Sequence, residues 1–226
     1  MALVMAKTDP DAPRHKQYST FIVELPNPGY KIKRNIKNMA IEGPHADVIH
    51  GGHSEIEIKD LKVPAENLLG GEGNGFNMGQ HRLAYGRLRH GMHNIAKAQR
   101  ALDMAVAHVT KRSTFGVLLA DRQAVQFMMA DSAIEHHMTQ LMVYNLAART
   151  DAGVAARHES YMAKIAGTEL GFRVADRCMQ IHGAMGLAAE MPIAQMWRDA
   201  RSFMITEGPV EVMRMVLARE IFRGQT

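Results

Sequence analysis

The 226-residue sequence predicts an α+β protein, with an antiparallel β part over about residues 1–72 and an up-and-down helical bundle over 73–226. Three observations predict it. Short, β-branched or alternating apolar runs separated by Pro and Gly turns fill the first seventy residues. The stretch Gly70-Gly71-Glu72-Gly73-Asn74-Gly75 then marks a change of texture. Beyond it, apolar residues recur at intervals of three and four through three long segments.

Taken in order, residues 3–6 are a short apolar run that reads as a strand, and Thr8-Asp9-Pro10-Asp11-Ala12-Pro13 is a loop. Residues 20–25 are β-branched and aromatic, and Pro26-Asn27-Pro28-Gly29 ends them. Tyr30 to Lys33 alternate, residues 45–50 form a weaker strand closed by Gly51-Gly52, and residues 54–63 alternate with one phase slip before Pro64. Strands this short and closely spaced predict an antiparallel sheet or partial barrel. In the helical part, Ile95, Leu102, Val106 and Val109 share helical spacing; so do Ile134, Met138, Leu141 and Met142, and again Met162, Ile165, Phe172, Ala175 and Met179. Breaks fall at Thr114-Phe115-Gly116, at Asp151-Ala152-Gly153 and over residues 183–192, giving three long helices and a shorter terminal pair. There is no internal repeat or low-complexity tract.

Composition narrows the function classes. Hydrophobic residues make up 46% and charged residues 22%, as in ordinary globular domains. The net charge of +4 and pI near 9.3 permit an anionic ligand such as a nucleotide. The basic residues are dispersed and lack interleaved aromatics, which gives nucleic-acid binding little support. The 18 methionines imply adaptable helix packing. The lone cysteine, Cys178, excludes a disulfide framework, fits a reducing compartment and reads as inert core. No stretch is apolar and long enough to span a bilayer, and the N-terminal run is too short for a signal peptide. His136-His137 and the scattered histidines form no metal set and read as a solvated helix face. The glycine cluster lacks a Walker-type lysine and reads as a linker.

Three segments could carry chemistry. In Ser202-Phe203-Met204-Ile205-Thr206-Glu207-Gly208-Pro209, one acid sits between an apolar run and a Gly-Pro break that starts a new helix. Burial on such a connection raises a carboxylate's proton affinity, which suits a general base for a carbon acid; the plain alternative is an acid favoured at a helix N-terminus. Thr110-Lys111-Arg112-Ser113-Thr114-Phe115-Gly116 puts a cation, hydroxyls and an aromatic on one turn, able to hold a diphosphate and stack a ring, or simply to cap a helix. Gln180-Ile181-His182-Gly183-Ala184-Met185-Gly186 has a hydrogen-bonding amide and two glycines that admit a ligand or a neighbouring backbone, or is only an interhelical turn.

Together these residues resemble the acyl-CoA dehydrogenase family. The matching segments, in fixed order, are residues 20–25 with Pro28-Gly29, residues 58–69 with Gly73-Asn74-Gly75-Phe76, residues 111–116 with Gln123, residues 180–186, Trp197-Arg198-Asp199-Ala200-Arg201, Thr206-Glu207-Gly208, and residues 214–219. They span essentially the whole chain. The resemblance implies the end of the middle β domain followed by the C-terminal helical domain of that family. It also implies an FAD enzyme acting on an acyl-CoA thioester.

In that likeness Glu207 is the base that removes the α-proton while hydride leaves the β-carbon. Arg112, Ser113, Thr114, Phe115 and Gln123 match FAD contacts, as does Gly208. Gln180, Gly183, Ala184 and Met185 match residues that reach the FAD of a neighbouring subunit, so a homodimer or homotetramer is implied. Arg87 matches an arginine near the substrate, and an electron-transfer flavoprotein is the implied acceptor. The implied location is intracellular, cytoplasmic in a bacterium and mitochondrial or peroxisomal in a eukaryote. Three departures stand out. Pro209 replaces a hydroxyl residue that contacts FAD in many members. Gly86 stands where a minority place their base. The N-terminal helical domain and the first middle-domain strands are missing, so the chain is expected to be inactive alone, with weak FAD affinity. The alternative function is a non-catalytic binding or regulatory relative, DNA-associated or paired with another chain.

Overall fold

The fold was determined as a computed structural model, which describes residues 1–40, 53–154 and 156–224. The candidate strand at residues 45–50 and its Gly51-Gly52 stop lie outside the described residues. The chain divides into two compact units, parting between Tyr85 and Gly86.

The first unit is β structure. β1 (Ala2–Lys7) pairs antiparallel with β2 (Tyr18–Val23), from Ala2 opposite Val23 to Lys7 opposite Tyr18. β3 (Tyr30–Ile36) pairs antiparallel with β4 (His53–Ile58), with a register shift between Ile32 and Arg34. The short β5 (Leu68–Leu69) joins the other edge of β2. The antiparallel pairing is as the sequence predicts, but β4 stops at Ile58 instead of running to residue 63. Its phase slip is a turn, with Asp60 at φ 51°. The glycine run after β5 is also a tight turn, tied to β2 by a hydrogen bond from Gly73 N to Ser19 Oγ at 2.9 Å.

A 35-residue helix follows, α1 (Gly75–Val109), and its part from Gly86 onward belongs to the second unit. A hairpin of β6 (Ser113–Thr114) and β7 (Val117–Leu118) leads to α2 (Gln123–Asp151) and α3 (Arg157–His182). The short α4 (Ala184–Leu187), α5 (Pro192–Phe203) and α6 (Val210–Phe222) complete the chain. The three long helices and the terminal pair are therefore where the apolar period puts them.

α1 and α3 run parallel. Gly91 lies opposite Gly167, Asn94 opposite Gly171, Ala101 opposite Cys178 and His108 opposite His182. α2 returns antiparallel alongside both, with His136 against Ile95 O of α1, Glu135 bonded to Arg173 and Arg177 of α3, and Arg149 paired with Glu159. The approach of α1 to α3 is close enough to need bare glycine: a Cβ on Gly167 would stand 2.9 Å from Gly91 Cα. The core between the helices holds Ile95, Ala101, Leu102, Val143, Leu146, Leu170, Val174, Cys178, Ile193 and Met196.

Three sequence expectations change here. The apolar stripe of α2 faces out, since Ile134, Met138 and Leu141 are 57–58% exposed. The inner face is Ser132, His136, Thr139, Val143 and Leu146. His136 is thus a core histidine, its Nε2 3.0 Å from Ile95 O, rather than part of a solvated face. Val106 is half exposed, whereas Ile95, Leu102 and Val109 are buried as expected. Cys178 is buried, its Sγ donates to Ala101 O, and burial pushes its thiol up to about 12, so it is inert as predicted.

Candidate active site

Glu207 lies on the connection between α5 and α6. This loop is wound on itself: Ile205 N and Thr206 N both donate to Ser202 O, and Val210 N closes it by donating to Met204 O at 3.0 Å. The winding forces Glu207 into the left-handed region, at φ 55°, followed by Gly208 at φ 106°. A non-glycine residue there costs roughly 1–2 kcal/mol and persists only where its surroundings fix it. The effect is to turn the Glu207 side chain inward, where it is 10% exposed.

The carboxyl group meets α1 at a bare position. A Cβ on Gly86 would stand 2.5 Å from Glu207 Cδ and 2.8 Å from Oε1, with Oε2 nearer still. Gly86 therefore makes room for the carboxyl group, and any side chain at position 86 would take its place. One turn further along the same face, Arg89 Nη2 is 3.9 Å from Oε1 and His90 Nε2 is 3.7 Å from Oε2. The His90 ring packs on Phe203, with centroids 4.4 Å apart. The local sequence implies an apolar setting for Glu207; the folded setting is basic on one side.

Lys164 of α3 completes this basic side. It is fully buried, and its Nζ donates to Gly208 O at 2.7 Å and to Met204 O at 3.4 Å. Burial, with help from the Arg87 charge, pushes its amine down to about 8, against the pull of Glu207, Glu211 and Glu169. Arg87, assigned to the substrate by resemblance, is 8% exposed and lies over the Tyr161 ring at 4.9 Å. Burial lowers its proton affinity, while Tyr161 and Glu207 raise it. Lys164, Arg89 and His90 escaped the sequence reading. A signal existed, since Gly86, Arg89 and His90 fall at i, i+3 and i+4 on one helix face, and Lys164 is the lone charge in the apolar stretch Met162-Ala163-Lys164-Ile165-Ala166-Gly167.

The other predicted residues gather at the far end of the bundle. The β6–β7 hairpin turns through Phe115 at φ 52° and Gly116 at φ 76°, both left-handed as a two-residue hairpin of this hand demands. The Phe115 side chain is 99% exposed. Arg112 O accepts from Leu119 N, Arg122 donates to Thr114 O, and Gln123 starts α2 directly behind. Gln180 is exposed on the last turn of α3. Gly183 ends that helix at φ 59°, with open space where its side chain would be. Ala184 and Met185, also exposed, begin α4. His108 and His182 stack at 4.4 Å and so hold the ends of α1 and α3 together. Burial, followed by the charges of His182 and Arg112, lowers the proton affinity of His108.

Two groups of residues result. His90 to His108 on α1 and Lys164 to His182 on α3 are each eighteen residues, about 27 Å at 1.5 Å per residue. Glu207 is at one end of that span; Arg112, Ser113, Thr114, Phe115, Gln123, Gln180, Gly183, Ala184 and Met185 are at the other. The tryptophan segment is structural: Trp197 Nε1 donates to Asp176, and Asp199 takes Lys97 and Gln195. Among the described residues, no three His, Cys, Asp or Glu side chains converge as metal ligands, and no helix is long and apolar enough to cross a membrane.

Comparison with known proteins gives the family. Residues 73–222 match the family model for the acyl-CoA dehydrogenase C-terminal domain. A probable acyl-CoA dehydrogenase of Arabidopsis thaliana, IBR3, is 36% identical over 93% of the chain and 25% of its own length. Subunit CarC of the caffeyl-CoA reductase–Etf complex of Acetobacterium woodii is 36% identical over 96% of the chain and 55% of its own length. The solved butyryl-CoA dehydrogenase of Megasphaera elsdenii superposes with a TM-score of 0.87 at 31% identity, over 98% of this chain and 56% of that one. The chain thus spans about half the length of the latter two proteins and a quarter of the first. By family model, by sequence and by fold, the chain belongs to the acyl-CoA dehydrogenase family.

Proposed function

We propose that the chain is the base-bearing and cofactor-holding part of an FAD-dependent dehydrogenase of acyl-CoA thioesters, with Glu207 as the base. The observation that carries the reading is the Glu207 carboxyl group, turned inward by a left-handed loop onto the bare backbone of Gly86. A glutamate placed only to favour a helix N-terminus needs neither the strained backbone nor a glycine cleared for it. An α-proton beside a thioester is weakly acidic, so its removal needs a carboxylate fixed in position and sheltered from water. The 10% exposure of Glu207 meets the second need.

The far group fits one end of FAD. An exposed phenylalanine on a left-handed turn offers a stacking face, Arg112 beside it offers charge, and the open Gly183 lets a phosphate or a neighbouring chain come close. FAD would supply the acceptor for the β-hydride, and this chain's own residues would hold it and manage the proton. The roughly 27 Å between the two groups supports a division of cofactor contacts between copies, with the far group of one chain serving the base of another. A homodimer or homotetramer follows. It is supported by the outward stripe of Phe127, Ile134, Met138 and Leu141 on α2, which falls within an arc of about 60° at 100° per residue. The named Etf complex of the Acetobacterium relative supports an electron-transfer flavoprotein as the electron acceptor. Lone, buried Cys178 supports an intracellular location.

The test is the visible spectrum of the purified chain with FAD, before and after a medium or long acyl-CoA. A flavin band that bleaches with the native chain and persists with Glu207→Gln upholds the reading. A retained flavin band that bleaches equally in Glu207→Gln removes Glu207 as base. Failure to retain any flavin removes the cofactor-holding role from this chain.

A further inference from the structure

Among the described residues near Glu207, Lys164 is a charged residue whose side chain is wholly enclosed and bonded to main chain. It is 0% exposed, and among the described residues its hydrogen-bond acceptors are two carbonyls, Met204 O and Gly208 O. A buried ammonium is costly, and proteins usually offset it with a carboxylate. Here the donors are instead aimed at both ends of a five-residue loop. Met204 is the C-cap of α5, its N–H donating to Ser202 O while its carbonyl already receives Val210 N; Gly208 O belongs to the residue directly after Glu207. The Lys164 bonds thus span the segment that carries the left-handed φ of Glu207. The groups facing Lys164 from neighbouring elements are Arg87 on α1, Glu207 on the loop, Glu211 on α6 and Glu169 on its own helix.

We propose that Lys164 is a positioning residue: by bridging Met204 O and Gly208 O it locks the α5–α6 loop in the conformation that points Glu207 inward. The functional weight of this rests on reading Glu207 as the base, but the structural role does not. Without the bridge the loop can relax toward ordinary backbone angles, because among the described residues no main-chain hydrogen bond of the loop reaches Gly208 O. Glu207 then leaves its place over Gly86.

The test is amide hydrogen exchange of the 226-residue chain at pH 7, comparing native, Lys164→Met and Lys164→Gln. Glutamine keeps an N–H donor one bond shorter than lysine; methionine keeps the bulk and no donor. Protection at Ile205, Thr206 and Val210 falls ~10-fold or more in Lys164→Met, with a partial return in Lys164→Gln, while the amides of α1 and α2 keep theirs. Equal loop protection in all three proteins overturns the proposal. So does a loss shared in the same proportion by loop and core, which would mean only general destabilisation. If Lys164→Met does not fold, Lys164→Gln is read against the native chain by the same criterion. Loss of loop protection in a chain whose flavin chemistry ignores Glu207→Gln would uphold Lys164 as the lock and remove only the base assignment.

Discussion

Replacing Gly86 by alanine probes the site through one methyl group. The new Cβ stands 2.5 Å from Glu207 Cδ, and ordinary contact begins near 3.4 Å, so the carboxyl group must retreat by about 1 Å. It can do so only by leaving its present contacts, since Arg89 and His90 flank it and its side chain is 10% exposed. Crowding of this kind costs about 1–3 kcal/mol. Against it, alanine in a helix interior gains about 0.5–1 kcal/mol over glycine. The net loss of stability is therefore modest, about 0–2.5 kcal/mol, a fall of at most several degrees in Tm. The effect on chemistry is large, because a misplacement of about 1 Å at a reacting group costs on the order of a hundredfold. Thermal unfolding and the rate of flavin bleaching by acyl-CoA, measured on the same preparations, separate the two. A Gly86→Ala chain that bleaches at the native rate refutes the placement of Glu207. So does one that loses chemistry only in proportion to a collapse in Tm.

Other consequences follow from single groups. The amine of Lys164 loses its proton at about 8 in the fold and at 10.5 in the unfolded chain. Between those values the unfolded state binds more protons, so native stability rises with pH by on the order of 3 kcal/mol relative to Lys164→Met. Denaturant titrations at pH 7.5 and pH 10 that show no such difference contradict the buried amine. Glu135 is penalised by burial, but its bonds to Arg177 and Arg173 outweigh this and hold its carboxyl below the ordinary 4.5. Its contribution is present above that value and lost as pH falls through the folded one, so Glu135→Gln costs about 1 kcal/mol at neutral pH and progressively less in acid. Ile134→Lys with Met138→Lys converts the assembled chain to a monomer in sedimentation if the α2 stripe is the contact between copies. The stripe is 58% exposed at both positions, so the Tm of the bundle changes little. An unchanged sedimentation profile moves the contact elsewhere.

The helices were legible because periodicity marks a helix whichever face is buried. For the same reason the sequence could not say that Ile134, Met138 and Leu141 point outward, or that Ser132, His136 and Thr139 point in. A polar inner face is paid for by contacts remote in sequence, such as His136 with Ile95 O and Ser132 with Arg177. The loop carrying Glu207 was legible from its Gly-Pro break. Its surroundings were not, since Gly86, His90 and Lys164 arrive from helices 43 to 121 residues earlier. The phase slip before Pro64 was visible as a slip, yet only the left-handed Asp60 shows that it ends the strand. The residues from 112 to 185 could be grouped in sequence by likeness alone. The stack of His108 on His182 gives the physical reason they share one end of the bundle.

The most direct test of the account is the fate of the α-proton. Acyl-CoA carrying deuterium at the α-carbon is incubated in ordinary water with the FAD-loaded chain, native and Glu207→Gln, at equal flavin occupancy. The account predicts release of deuterium to water by the native chain, against the expectation drawn from the resemblance that it is inactive alone, and a fall of about 10²–10⁴-fold with Glu207→Gln. Equal release by both chains would contradict it and place the base on another residue.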